Sequence, residues 1–98
     1  MTEDAVTVAP EHYRVVLEND RVRVLEFRCA PGDKTQMHTH PDQVAVGIDG
    51  GDYRFSTPDG QVGEMTLETG QVIFADAVEH ATEITGTREA RAIVIELK

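Results

Sequence analysis

The sequence predicts an all-β domain. Helical periodicity is hard to find in the 98 residues, whereas short runs of alternating apolar and polar residues recur along the chain. Gly, Pro, Asp or Asn interrupts these runs about every eight to twelve residues, which is typical of a sandwich or a small barrel. The length suits one domain, so we expect residues 1–98 to share a single core.

The predicted strands follow the alternating runs in chain order. They cover residues 13–18, 21–29, 37–40, 44–48, 53–56, 62–67, 71–75 and 92–97, and His80 is placed on a further strand. Turn residues separate them: Pro31-Gly32-Asp33 predicts a turn with a positive φ at Gly32. Thr57-Pro58-Asp59-Gly60 predicts a hairpin that joins strands 53–56 and 62–67.

The alternation also predicts which side chains face the interior. Cys29 shares a strand face with Phe27, so we expect it to be a small core residue rather than a nucleophile. The last run is apolar almost throughout, which suits a well-buried strand. We expect the barrel to be lined by four apolar side chains, Phe55, Phe74, Ile93 and Ile95.

The N-terminal segment, residues 1–12, has no obvious place in the barrel of residues 13–98. Val6 and Val8 alternate with smaller residues, so Thr2–Ala9 is predicted to be a strand that pairs outside its own sheet. A small barrel leaves edge strands that pair readily with another chain, so we expect a homodimer with this segment exchanged. The alternative is a frayed tail, as in many domains.

Composition and charge exclude several classes of partner. Lys and Arg number 9 against 18 Asp and Glu, so the net charge of −9 disfavours nucleic acid and anionic membranes. The single cysteine cannot form an intramolecular disulfide. No apolar run approaches the roughly 20 residues of a membrane span, and Met1-Thr2-Glu3-Asp4 is acidic where a signal peptide is basic. We therefore expect a cytoplasmic protein with a small-molecule partner.

Three histidines carry the strongest chemical signal. His38 and His40 are two residues apart, so on an extended chain both imidazoles lie on one side. Neutral imidazole is the commonest metal ligand in proteins, and His80 on another strand would complete a three-histidine set. A Pro41-Asp42 bend could bring the amide oxygen of Gln43 toward the same ion. The alternative is a set of surface or hydrogen-bonded histidines.

The spacing around these histidines resembles that of the cupins. The segment Pro31–Gln43, followed by Gly50, is similar to the first cupin motif, in which a glycine precedes H-x-H and a carboxylate and a second glycine follow. Gly70–His80 looks like the second motif, in which a glycine opens a strand and a histidine completes the site. The resemblance covers about Tyr13–Lys98, and it implies a double-stranded β-helix, or jelly-roll barrel.

The resemblance also implies a ligand set for a divalent metal. By position the ligands would be His38, His40 and His80, with Gln43 where the family has a glutamate. A glutamine oxygen is neutral and a weaker donor, so Gln43 is expected to be a conditional ligand. Residue types alone do not choose among Fe, Zn, Ni, Mn and Cu.

The second motif departs from the family pattern. Asp76, Val78 and Ile84 occupy places where cupins commonly have proline, glycine and asparagine. Asp76 is the one candidate catalytic residue, either as a general base or as an acceptor for the second N–H of a ligating histidine. The alternative is an aspartate that satisfies a turn.

Two functions follow from the resemblance. As an enzyme, the chain would be a mononuclear metal-dependent dioxygenase, isomerase or lyase acting on a small molecule. As a binding module, the same barrel would hold a metal or a small ligand without turnover. The absent carboxylate ligand and the absence of an obvious acid–base pair favour the second. We expect a metal-binding protein, with its reaction open.

Overall fold

The computed structural model describes residues 3–98, which form nine β-strands and one short α-helix. Their bounds are α1 Ala5–Val8, β1 Tyr13–Glu18, β2 Val22–Cys29, β3 His38–His40, β4 Gln43–Asp49, β5 Gly51–Ser56, β6 Val62–Leu67, β7 Val72–Ala75, β8 Val78–Ile84 and β9 Ala90–Leu97. Within these residues no helix is long and apolar enough to cross a membrane.

The strands form two antiparallel sheets that share one core. Five strands are ordered β1-β2-β9-β4-β7, and the other four are ordered β3-β8-β5-β6. Leu25 and Phe27 from the first sheet join Tyr53, Leu67 and Ile84 from the second in a single buried cluster. The all-β prediction is confirmed, and each predicted strand lies within two residues of its observed bounds.

The predicted turns are also confirmed. Gly32 has φ +82°, a conformation that a residue with a Cβ rarely adopts. Strands β5 and β6 pair as a hairpin with Ser56 opposite Val62, and Gly60 closes the turn at φ +87°. Cys29 is buried in the core, as the alternation of its strand predicts.

The prediction for the interior is wrong on β9. Ala92, Val94 and Glu96 are the buried side chains of this strand, and Ile93 and Ile95 lie half-buried on the outer face of the sheet. The run is apolar on both faces, so its alternation does not identify the inner one.

The prediction for the aromatic lining holds for Phe55 and only in part for Phe74. Phe55 is half-buried and packs against the core. Phe74 lines part of the interior cavity but is 59% exposed, because it lies on the edge strand β7. An edge strand is covered by a neighbour on one side alone, which leaves a large outward side chain open to solvent.

The N-terminal segment folds back on its own barrel. The prediction of a strand over Thr2–Ala9 is wrong for residues 3–9, the part that the structure describes. Ala5–Val8 form a helical turn there, which packs against β1 and β3. Ala5 and Ala9 are fully buried one helical turn apart, which gives this short helix its packing face. Residues 1 and 2 lie outside the described part of the chain, and the homodimer stays a prediction.

Candidate metal centre

Two neighbouring strands bring the three histidines together. His38 and His40 are inward residues of β3, and His80 lies directly opposite His38 on β8. Their ring centroids are 4.9 to 5.3 Å apart, and one ring nitrogen from each lies within 4.8 Å of the others. All three side chains are buried. The sequence-predicted histidines therefore form one cluster that could bind a metal ion.

Hydrogen bonds orient two of these rings. The Nδ1 of His38 donates to the carbonyl oxygen of Gln36 at 2.7 Å, and the Nδ1 of His40 donates to Oε2 of Glu96 at 2.6 Å. An imidazole that donates from Nδ1 keeps a lone pair on Nε2, so each ring offers Nε2 as a ligand. This arrangement is the one usually found in histidines that bind metals.

The third histidine has a buried nitrogen with no hydrogen-bond partner. The Nε2 of His80 is orphaned within the described residues, although buried polar atoms are nearly always paired. Burial, and to a lesser extent the neighbouring imidazoles, lowers the pKa of His80 to about 3. Burial lowers the pKa of His38 to about 4. Near pH 7 both rings are neutral and able to bind a cation, so the residues present fit a metal site.

A buried carboxylate that the sequence analysis missed supports this cluster. Glu96 is 2% exposed, and its Oε2 accepts the hydrogen bond from His40. Its Oε1 accepts from Arg23, whose Nη2 lies 2.8 Å away and also contacts the carboxylate of Asp4 at 2.6 Å. Glu96 thus fixes the ring of His40 and is itself held by a guanidinium.

The strand register explains how distant residues meet at this point. Glu96 pairs with Arg23 across β2 and β9, and it pairs with Gln43 across β4 and β9. Gln43 is buried and lines the same cavity as His40 and His80, so the structure places it on the site wall. The only sequence signal for Glu96 is an acidic residue in an otherwise apolar run, at an inward position.

Two further residues border the cluster. The Tyr13 hydroxyl lies 3.4 Å from Nε2 of His38, and burial raises the pKa of this phenol, which keeps it protonated. Asp76 follows β7 and lies exposed at the cavity mouth. The acceptor for a ligand-histidine N–H is Glu96 rather than Asp76, and a catalytic role for Asp76 stays a prediction.

His40 and His80 open onto an apolar cavity of about 380 Å³. Its wall carries Phe27, Phe55, Met65, Leu67 and Val94, and no lysine or arginine of residues 3–98 lines it. The ring of Phe55 stacks on His80 with an interplanar angle of 14°. This volume is at the small end of the range for ligand cavities, which is roughly 300–1,000 Å³.

A second group of ligand types lies elsewhere in the fold. His12, Cys29 and Asp33 also approach one another, and the buried His12 donates from Nδ1 to the carbonyl of Arg28 at 3.0 Å. Burial raises the pKa of the Cys29 thiol to about 12, so a metal at this group would have to displace a tightly held proton. The three-histidine cluster is the better metal site.

Two antiparallel sheets that enclose a histidine cluster define the double-stranded β-helix class of barrels. Comparison with solved structures takes the assignment further. The chain is 32% identical to a cupin domain from Bordetella pertussis Tohama I, over 88% of this chain and 91% of that one, with a TM-score of 0.77. The chain belongs to the cupin family, and the resemblance noted in its sequence is confirmed.

More distant structures share the fold. A cupin-2 domain protein from Shewanella frigidimarina is 20% identical, with 88% of this chain and 79% of that one covered and a TM-score of 0.60. A Klebsiella pneumoniae protein with a double-stranded β-helix domain is 21% identical over 88% and 76%, with a TM-score of 0.67. No protein-family model and no curated protein matches the chain significantly.

Proposed function

We propose that this cupin holds one divalent metal ion per chain through Nε2 of His38, His40 and His80, and that it acts on a small molecule bound beside the ion. The observation that carries the proposal is the orphaned Nε2 of His80. It lies among two histidines whose other ring nitrogens are already engaged as donors. A cation would bind all three nitrogens at once, whereas the Tyr13 hydroxyl contacts only Nε2 of His38.

The electrostatics of the surroundings support a cation rather than an anion. Glu96 and Asp4 carry two negative charges against the one positive charge of Arg23 that they share, so the group behind the histidines is net negative. Hydrogen bonding to a carboxylate raises the basicity of His40 as a ligand. The rings of His38 and His80 stay neutral near pH 7, so a proton does not compete strongly for these two ligands.

A bound divalent ion would supply Lewis-acid chemistry, or redox chemistry if it were iron or copper. The residues of this chain would position the ligands and shape the cavity. Glu96 and the Gln36 carbonyl fix the ring orientations, Gln43 offers a neutral oxygen on the wall, and the apolar walls exclude water. The proposed reaction class is an oxygenase or isomerase reaction on a small molecule.

Cobalt substitution tests the proposed site. Protein freed of metal with a chelator and titrated with Co(II) should give a visible d–d spectrum that saturates at about one ion per chain. His80→Ala should lose this spectrum, whereas His12→Ala should keep it, because His12 lies in the other cluster. Saturation of His80→Ala with an unchanged spectrum would refute the proposal.

Turnover is tested separately from binding. The Fe(II) form, mixed anaerobically with candidate small molecules and then exposed to oxygen, should consume oxygen or isomerise a bound compound. A metal-loaded protein that binds compounds and converts none of them would be a binding module without catalysis.

A further inference from the structure

The cavity beside the histidines has a further buried polar group on its wall that could bind a ligand. Besides Nε2 of His80, the buried hydroxyl of Tyr53 on its wall lacks a hydrogen-bond partner. Tyr53 is 5% exposed, so this hydroxyl is not turned toward bulk water. Unpaired buried polar atoms are uncommon, and two of them on one cavity wall point to a ligand.

The chemical state of Tyr53 determines what it can bind. Burial raises the pKa of its phenol to about 12, so the hydroxyl stays protonated at neutral pH. It can therefore donate a hydrogen bond to an oxygen of a ligand. The ring of Tyr53 stacks on Phe55, which stacks in turn on His80, so a continuous aromatic wall runs from the hydroxyl to the metal centre.

The rest of the lining restricts the charge of the ligand. Among residues 3–98 no lysine or arginine lines the cavity, so away from the proposed metal ion nothing there balances a carboxylate or a phosphate. Asp76 lines the cavity only at its exposed mouth, and the carboxylate of Glu96 is already paired with Arg23 and His40, so neither offers a buried partner for an ammonium group. Burial of an unpaired ion in such surroundings is strongly unfavourable, which leaves uncharged molecules.

We infer that the part of the cavity away from the ion binds a small, uncharged, mainly apolar molecule whose oxygen accepts a hydrogen bond from Tyr53. Its apolar body lies against Phe27, Met65 and Leu67, and it is limited in size by the cavity volume of about 380 Å³. This inference deepens the proposed function and rests on it, because the ligand would share the cavity with the metal. The cavity itself, however, can be tested without metal.

Three matched probes separate these features: acetophenone, benzoate and ethylbenzene. They have similar apolar bodies, but benzoate is charged and ethylbenzene has no acceptor. Titrations of metal-free protein should be followed by NMR of the Met65 methyl group, which lies on the cavity wall. The Met37 methyl group, which does not line it, serves as the internal control.

Acetophenone should shift the Met65 signal saturably, and benzoate should bind at least about tenfold more weakly. Tyr53→Phe removes only an unpaired hydroxyl, so the protein should fold normally while its affinity for acetophenone falls roughly three- to tenfold. Affinity for ethylbenzene should be unchanged in this variant. Val62→Lys, on the same sheet but away from the cavity, should alter neither.

The opposite results would overturn the inference. The inference is wrong if benzoate binds as tightly as acetophenone or more tightly. It is also wrong if Tyr53→Phe changes the affinity for ethylbenzene as much as that for acetophenone, or if acetophenone gives no saturable shift. The proposed metal function has its own readout in cobalt binding. If the protein bound cobalt but not acetophenone, only the ligand inference would be refuted. If it bound acetophenone but not cobalt, only the metal proposal would be refuted.

Discussion

The substitution Glu96→Gln tests the carboxylate that orients His40. Glu96 accepts hydrogen bonds from the Nδ1 of His40 at 2.6 Å and from the Nε of Arg23 at 2.9 Å. A glutamine of the same shape has one acceptor oxygen and one NH₂ donor. One of its ends must therefore face an N–H group, and the charge behind the metal site is lost.

The expected effect is a fall in metal affinity of about ten- to a hundredfold, as for other residues that hold a ligating histidine. This corresponds to about 1.4–2.7 kcal/mol of binding free energy. The variant should still fold, because Arg23 keeps its contact with Asp4 at 2.6 Å. Competition for zinc against a chelating indicator dye, followed by absorbance, measures the change directly.

Glu83→Gln is the matched control. Glu83 lies on β8, the strand that carries His80, but it pairs with Arg54 outside the cavity. This variant should bind zinc as the wild type does, within about twofold. If Glu96→Gln remained folded and also bound zinc with wild-type affinity, the carboxylate would have no part in the metal site and the reasoning would be wrong.

Three other predictions concern the ligand set, the pH dependence and the assembly. Gln43→Glu should tighten zinc binding about tenfold in the same dye assay, since a carboxylate adds charge to a neutral set of ligands; unchanged affinity would show that residue 43 is not a ligand. In metal-free protein the free energy of unfolding should fall as the pH drops from about 6.5 toward 4, because His38 and His80 stay neutral when folded and take up protons when unfolded. Each imidazole contributes a slope of about 1.4 kcal/mol per pH unit, so His80→Gln should flatten the dependence in urea titrations, and an unchanged slope would contradict the assignment. The homodimer expected from the exposed edge strands should be seen by light scattering, whereas a monomeric wild type would contradict it.

The histidine cluster could be predicted from the sequence because its geometry is mostly local. A separation of two residues places His38 and His40 on one face of any strand, whatever the rest of the chain does. His80 is more distant in the sequence, and its place came from the spacing of the family motif. The structure then puts it directly opposite His38.

Glu96 could not be predicted because its role depends on long-range register. It lies 56 residues from His40, and only the order β2-β9-β4 sets it between Arg23 and Gln43. A single acidic residue near the end of a chain is usually solvated, so its identity alone gives no signal. The unpaired hydroxyl of Tyr53 is equally invisible in the sequence, since pairing is a property of the folded state.

The wrong predictions concern two segments whose apolar pattern fits more than one structure. The β9 run is apolar at both parities, so packing rather than alternation decides that Val94 faces inward and Ile95 outward. Near the N-terminus, Val6 and Val8 alternate as in a strand. In the structure Ala5 and Ala9, one helical turn apart, are the buried residues that pack this segment against the barrel. Alanine suits a strand as well as a helix, so this spacing did not predict the helix.

The central claim is that three histidines bind one divalent metal ion, and metal analysis of protein purified without chelators tests it most directly. The account predicts about one ion per chain in the wild type and none in His40→Ala, with both proteins folded by circular dichroism. Full occupancy in His40→Ala, or a wild type that takes up no divalent metal even when it is supplied in excess, would contradict it.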